Sequence, residues 1–188
     1  MPLFTSKREK TLWIWALIVL VTIISTLFLG QPFARELRDQ NIQAVIFVLG
    51  MLLIGVAIIF HAIRTKPGRF EIALIFGIAA VYLMFFFRLG APERSHLIEY
   101  SALSILIHSA FIERINQGKT IRMPALLAVL LSFLIGVLDE SIQLLIPSRV
   151  FDTQDIVFNG LAVSMAIGSR VLFIWIRKLA VRYKSNSK

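Results

Sequence analysis

Apolar residues fall in long blocks along this chain, separated by short polar segments. Thr11 to Gly30 is an almost unbroken apolar run, and Ile42 to Ile63, Phe70 to Phe87, Met123 to Ile146 and Asp155 to Ile176 repeat the pattern. A helix needs about 20 mostly apolar residues to cross hydrocarbon, and each block has that length. A less apolar run, from about Arg94 to Glu113, carries His96, Glu99, Tyr100, Ser101, Ser104 and His108. It predicts one more helix, either a full span or a partial, interfacial one. Pro67-Gly68 marks a tight turn, and Pro92 suits a first helical position. The pattern predicts an all-α protein: a polytopic transmembrane helical bundle of about six spans, in a single membrane domain over residues 1–188.

Composition supports that frame. Hydrophobic residues make up 57% of the chain and charged residues only 16%, against about 25% in ordinary soluble domains. The formal net charge of +9 would suggest nucleic acid in a soluble protein. Here the basic residues sit in short loops between apolar blocks, so the expected partner is the lipid bilayer and not nucleic acid. With no cysteine, disulfides and thiolate metal sites are excluded.

Charge also orients the bundle. One set of loops holds Lys7, Arg8 and Lys10; Arg64, Lys66 and Arg69; Arg114, Lys119 and Arg122; and the Arg177 to Lys188 tail. The other set holds Arg35, Arg38, Arg88, Arg94 and Arg149. The excess of Lys and Arg marks the cytoplasmic side, which places both termini in the cytoplasm. A basic start before an apolar run also fits a signal peptide. The length of the run and the lack of an A-x-A site favour an uncleaved first helix. Trp13 and Trp15 are expected in the interfacial belt.

The candidate chemistry lies in Asp139 to Gly160, DESIQLLIPSRVFDTQDIVFNG. Ionised side chains at bilayer depth cost about 3 kcal/mol or more and face an interior or a partner. In the expected topology His96, Glu99 and Tyr100 lie near the outer end of one helix, Asp139, Glu140 and Gln143 near the outer end of the next, and Asp155 and Asn159 near the outer start of the last. At 1.5 Å per residue, Asp139 lies roughly 10 Å below its helix end, and Tyr100 and Asn159 roughly 6 Å below theirs. Residues three or four apart share a face, which groups His96 with Glu99 and Tyr100, Gln143 with Asp139 and Glu140, and Asp155 with Asn159. Asp139 and Glu140 differ by about 100°, so only one of them is expected to point squarely into the cluster. Arg94 and Arg149 are the nearest cations on this face.

Several of these residues have a plain structural reading. Asp152 reads first as a helix N-cap, and Ser95 likewise. Arg94 snorkels in one reading, and His61 and Glu71 are interfacial. His108 is a helix-packing hydrogen bonder, and Gly160, Ser164 and Gly168 form a small-residue packing ridge. For Glu99, Asp139, Glu140 and Asp155 the structural reading is an ion-pair clamp with Arg94, Arg149 and His96. A functional pocket is the alternative.

At these residues the chain resembles the VanZ-like family of bacterial membrane proteins. Glu93-Arg-Ser-His-Leu-Ile-Glu-Tyr100 is similar to the family's first motif. Asp139, Glu140, Gln143, Pro147, Arg149, Asp152, Asp155, Asn159 and Gly160 are similar to its second, and the resemblance spans roughly residues 88–168. It implies a multi-pass protein of the bacterial cytoplasmic membrane with a role in resistance to the glycopeptide teicoplanin, and it supplies no reaction. The expected function is an extracytoplasmic-facing polar pocket, formed by Arg94, His96, Glu99, Tyr100, Asp139, Glu140, Gln143, Arg149, Asp152, Asp155 and Asn159. It would engage an anionic envelope component such as a lipid-linked cell-wall precursor, with the arginines meeting phosphate or carboxylate. The alternative is a membrane-embedded hydrolase or transferase acting on a phosphoester, with carboxylates holding Mg²⁺ or Mn²⁺ or acting as acid and base. A transporter would want polar groups through the whole depth.

Overall fold

Leucines cover the outside of one helix and carboxylates line its inside, and the other helices are arranged around that inversion. The computed structural model describes residues 3–36, 68–88, 91–147 and 151–186. The expected span Ile42 to Ile63, the Arg64 and Lys66 turn, and Arg149 lie outside the described residues. Those described form helices α1 (Lys7–Glu36), α2 (Arg69–Arg88), α3 (Ala91–Asn116), α4 (Pro124–Gln143) and α5 (Thr153–Asn186), with no strand among them.

In α4 the buried residues are Ala128, Ser132, Gly136, Asp139, Glu140 and Gln143. Leu126, Leu127, Leu130, Leu131, Leu134 and Leu138 are exposed. A helix on an aqueous protein turns its apolar stripe inward; this one does the reverse. Two described helices are long and apolar enough to cross a membrane, Pro124–Gln143 and the Thr153–Leu179 part of α5, and only 28% of each apolar window is buried. The apolar core helix of a soluble protein would be mostly buried.

The least apolar run forms the most enclosed helix. α3 is continuous over 26 residues, about 39 Å, and packs on α1, α4 and α5. Its Leu97, Tyr100, Leu103, Ile107 and Ala110 are buried, as are Ser101, Ser104 and His108. Neighbouring helices shield these polar groups, so the helix needs no apolar exterior. The core joins α3 to Ala16 and Ile23 of α1, Ala128 of α4, and Ala162, Val163 and Ile167 of α5. Trp13 packs edge-on against Phe111, ring centroids 5.7 Å apart, while Trp15 is exposed.

The helix ends follow from local chemistry. Gly118, at φ 83, ends α3 in a left-handed turn: its N–H donates to the Ile115 carbonyl and that of Lys119 to the Arg114 carbonyl, a Schellman pair. Pro124 opens α4 after Met123, which is left-handed at φ 56, a conformation uncommon outside glycine. α1 begins in a capping box. The Ser6 hydroxyl accepts from the Glu9 N–H at 3.0 Å, and the Glu9 carboxylate reaches back to the Thr5 N–H at 2.7 Å and hydroxyl at 2.6 Å. α1 then runs on through Gln31–Glu36, the stretch that the sequence pattern assigns to a loop.

That capping box is fastened to the far end of α3. Arg114 Nε donates to Glu9 at 2.6 Å and its Nη2 to the Leu3 carbonyl at 2.7 Å. Ser6 donates to Glu113 at 2.9 Å and Gln117 to the same carboxylate at 3.2 Å. The start of α2 meets the end of α5 through Glu71 and Arg177 at 3.9 Å. Glu71 is thus a helix-end charge, as expected.

Burial alone would raise the Glu9 carboxyl; the Thr5 hydrogen bonds and Arg114 outweigh it and hold its pKa below the ordinary carboxylate value. A depressed folded pKa contributes stability that is fully present above the unfolded value, about 4.3, and is lost as pH falls through the folded value. Glu9→Gln is expected to cost about 1–2 kcal/mol at neutral pH, the partly exposed Arg114 being screened. It should also flatten the acid limb of stability. Melting in detergent across pH 3 to 7 checks both, and an unchanged acid limb would remove Glu9 from the clamp.

Candidate functional site

At the opposite end from the Glu9 clamp, the start of α3, the end of α4 and the start of α5 come together. α3 contributes His96, Glu99 and Tyr100. The His96 and Tyr100 rings, one turn apart, stack at 5.9 Å and 17°. The Tyr100 hydroxyl crosses to α4 and donates to Asp139 Oδ2 at 3.0 Å. His96 Nε2 faces α5, 3.9 Å from Asp155 Oδ2. Glu99, partly buried, lies within electrostatic reach of His96 and Asp139.

α4 contributes both adjacent carboxylates, which corrects the expectation that only one would face the cluster. Asp139 and Glu140 are both buried. α4 is wedged between α3 and α5, so positions about 100° apart each meet a neighbour. Asp139 meets Tyr100 of α3. Glu140 lies within electrostatic reach of Asp155 and Asp152, with the Asp152 backbone N–H approaching it. Gln143 Nε2 donates to Glu140 Oε1 at 2.6 Å. Its own helix then closes in a tight turn, with Leu145 N–H on the Ile142 carbonyl and Ile146 N–H on that of Gln143, before Pro147.

α5 starts from Asp152, which is exposed and accepts from the Gln154 N–H at 2.8 Å. This is N-cap geometry, matching the structural reading of Asp152. One turn below Asp155 lies Asn159, fully buried, and neither of its amide atoms has a hydrogen-bond partner among the described residues. It packs on Gly136, one turn below Glu140 on α4. A Cβ at Gly136 would lie 3.0 Å from the Asn159 Cβ and 3.1 Å from its Nδ2. Asn159 is therefore the floor of the site. Exposure falls inward: the His96 and Asp155 side chains are 13% and 18% exposed, while Tyr100, Glu140 and Asn159 are at 0%.

The donor set suits a cation. Ligand atoms of His96, Asp139 and Glu140 all lie within 4.8 Å of one another. Arg94 lies on α3, but its side chain, like Arg149, is outside the described residues.

Deeper in the bundle is a polar layer that sequence reading underweighted. Arg170 of α5 donates to the Ile105 carbonyl at 3.0 Å and to the Ser109 hydroxyl. His108 is buried with Nδ1 lacking a described partner, as is the Ser132 hydroxyl. Ser101 donates to the Ala162 carbonyl at 3.3 Å. The halves of these helices away from the His96 end are less purely apolar than their composition suggests. The small-residue ridge divides: Gly160 packs near Phe133, whereas a Cβ on Gly168 would meet nothing within 4 Å among the described residues, and Ser164 is exposed. No family model, curated protein or solved structure matches the chain.

Two glycines test how tightly the floor is built. Gly136→Ala drives a methyl against the Cβ of Asn159, which is fixed to the α5 backbone. Gly160→Ala meets the ring edge of Phe133 at 3.1 Å, which rotates away more readily. The first is expected to cost about 1–3 kcal/mol and the second less. Paired thermal melts in detergent decide it, and an equal or reversed order would mean that the α4–α5 contact is looser than described.

Proposed function

We propose that this chain is a VanZ-like multi-pass protein of the bacterial cytoplasmic membrane. In this reading it has about six spans, both termini lie in the cytoplasm, and its outward-facing pocket engages the polar headgroup of an anionic envelope lipid such as a lipid-linked cell-wall precursor. A contribution to teicoplanin resistance follows from the same reading. The observation that carries it is convergence. Residues of the two segments that hold the resemblance, His96, Glu99 and Tyr100 from one and Asp139, Glu140, Gln143, Asp155 and Asn159 from the other, meet at one largely buried site with a partly exposed rim.

The orientation has its own support. The start of α1 meets the end of α3, and the start of α2 meets the end of α5. Lys7, Arg8, Arg69, Arg114, Lys119, Arg122 and Arg177 therefore gather at the end away from the site, as the positive-inside rule requires of a cytoplasmic end. The carboxylates accept hydrogen bonds from headgroup hydroxyls and amides, and Arg94 and Arg149 supply the cations for phosphate.

Conservative substitutions separate this site from a clamp. Asp155→Asn keeps shape and loses charge; Arg149→Lys keeps charge and loses the bidentate fork. Both variants are expected to reach the membrane at near-normal abundance and to lose the glycopeptide-resistance phenotype. Susceptibility of cells carrying each variant is measured beside folded abundance. If phenotype simply tracks abundance, the network is a clamp. Reporter fusions after Lys119 and at the C-terminus should be cytoplasmic, and one near Arg149 should be external; an internal Arg149 would sink the outward pocket.

A further inference from the structure

We infer that His96, Asp139 and Glu140 form a binding site for one divalent transition-metal ion of the Mn²⁺ or Zn²⁺ class. The inference deepens the pocket reading above and rests on it for function, but the ion site itself stands on the geometry alone. Two carboxylates and an imidazole come within 4.8 Å of one another. Donors in a tetrahedral set at about 2.0–2.2 Å lie roughly 3.3–3.6 Å apart. Closure of somewhat more than an ångström, by side-chain rotation on the three ligands, completes the set.

The surroundings look built to hold these three ligands. Metal-binding histidines usually turn their second ring nitrogen to a carboxylate, and ligating carboxylates are themselves hydrogen-bonded. Here His96 Nε2 faces Asp155, which leaves Nδ1, buried and without a described partner, for the ion. The Tyr100 hydroxyl holds Asp139, and Gln143 holds Glu140 through Oε1. Both carboxylates are thus held by hydrogen bonds, and the imidazole has a carboxylate at 3.9 Å that closes on it when the ring turns.

A separate observation points to a ligand. Glu140 Oε2 is buried without a hydrogen-bond partner among the described residues, and both amide atoms of the fully buried Asn159 lack described partners. Burying such groups without a partner is costly. An ion with bound water satisfies both: Glu140 ligates, and the Asn159 amide below meets the water. The imidazole steers the choice of ion. Mg²⁺ and Ca²⁺ favour all-oxygen sets, whereas a nitrogen with two carboxylates suits Mn²⁺ or Zn²⁺. A bound cation would also give this acidic pocket the charge to meet a phosphate.

The test uses the full chain purified in detergent, stripped with chelator and titrated with Mn²⁺. Loss of the free-ion paramagnetic resonance signal counts bound metal, and pulsed resonance detects nitrogen coupling from a ligating imidazole. One Mn²⁺ per chain is expected, with nitrogen coupling, displacement by Zn²⁺, and a melting temperature raised by metal and restored by chelator. His96→Gln should abolish the nitrogen coupling. Asp139→Asn and Glu140→Gln should weaken binding at least tenfold, and Tyr100→Phe, a positioning change, by roughly tenfold. Glu71→Gln, at the other end and paired with Arg177, should leave binding unchanged.

Because the native chain carries the stoichiometry, coupling and melting readouts, the test survives even if a ligand variant fails to fold. Absence of saturable Mn²⁺ or Zn²⁺ binding by the folded native chain overturns the inference, as does binding without nitrogen coupling. If metal binds as expected while susceptibility ignores the pocket, the ion site stands and the envelope-lipid reading falls. If the phenotype follows the pocket but the native chain binds no metal, the ion inference alone falls.

Discussion

The hydrogen bond from Tyr100 to Asp139 is the contact on which the His96 end of the bundle depends. Ionised groups at bilayer depth are expensive unless they face a protected interior. Asp139 and Glu140 sit in a helix whose other face is leucine, so α4 has one low-energy rotation about its axis. That rotation turns Ser132, Gly136, Asp139, Glu140 and Gln143 inward. Once α4 is set, α3 must offer a donor at that depth and α5 must approach closely enough to cover the carboxylates. Tyr100 supplies the first. Gly136 permits the second, because Asn159 occupies the space where any larger side chain would lie.

α3 makes the arrangement possible by being enclosed. Its ends are fixed by different chemistry: one by the Glu9, Arg114, Ser6 and Glu113 network, the other by the His96, Tyr100 and Asp139 contacts. Between them it carries Ser101, Ser104 and His108 inward. Helices in hydrocarbon gain little from hydrophobic attraction to one another and associate through packing and polar contacts. The small buried residues Ala110, Ala128 and Ala162 bring the backbones close. Hydrogen bonds such as Ser101 to the Ala162 carbonyl then add specificity.

Much of this was legible in the residues. Block lengths announced helices, and three- and four-residue spacings brought His96, Tyr100, Asp139, Gln143, Asp155 and Asn159 to one level. Asp152 read as a cap and is one. Other features needed the packing. Whether Asp139 and Glu140 both point inward depends on how many helices flank α4, and helical angle alone does not say. The polar run of α3 left its span in doubt because composition cannot tell a polar helix that is enclosed from one that is interfacial. Arg170 was absorbed into an apolar block, although its charge at that depth was a signal of a partner. The Ser6-x-x-Glu9 pattern was a capping box in plain view, hidden by reading the N-terminal segment only for its positive charge.

The two polar clusters of this chain show what a clamp looks like beside what a site looks like. At the Glu9 end both carboxylate oxygens of Glu9 accept hydrogen bonds, and Glu113 is held by Ser6, Gln117 and Arg8. That network is closed: its carboxylates are buried, and its arginines reach the surface. At the His96 end the lining is deeper and less complete: Glu140 Oε2, His96 Nδ1 and the whole Asn159 amide have no described partner. A network selected only to hold helices together gains nothing from such atoms, since each costs about 1–3 kcal/mol. Apolar residues of similar size would hold the same helices as well or better. Retaining unfilled donors and acceptors beneath a rim that reaches the exterior makes sense if something else completes them. Where it fastens α1 to α3, the chain satisfies both carboxylates, which makes the incomplete set at the other end the stronger mark of function.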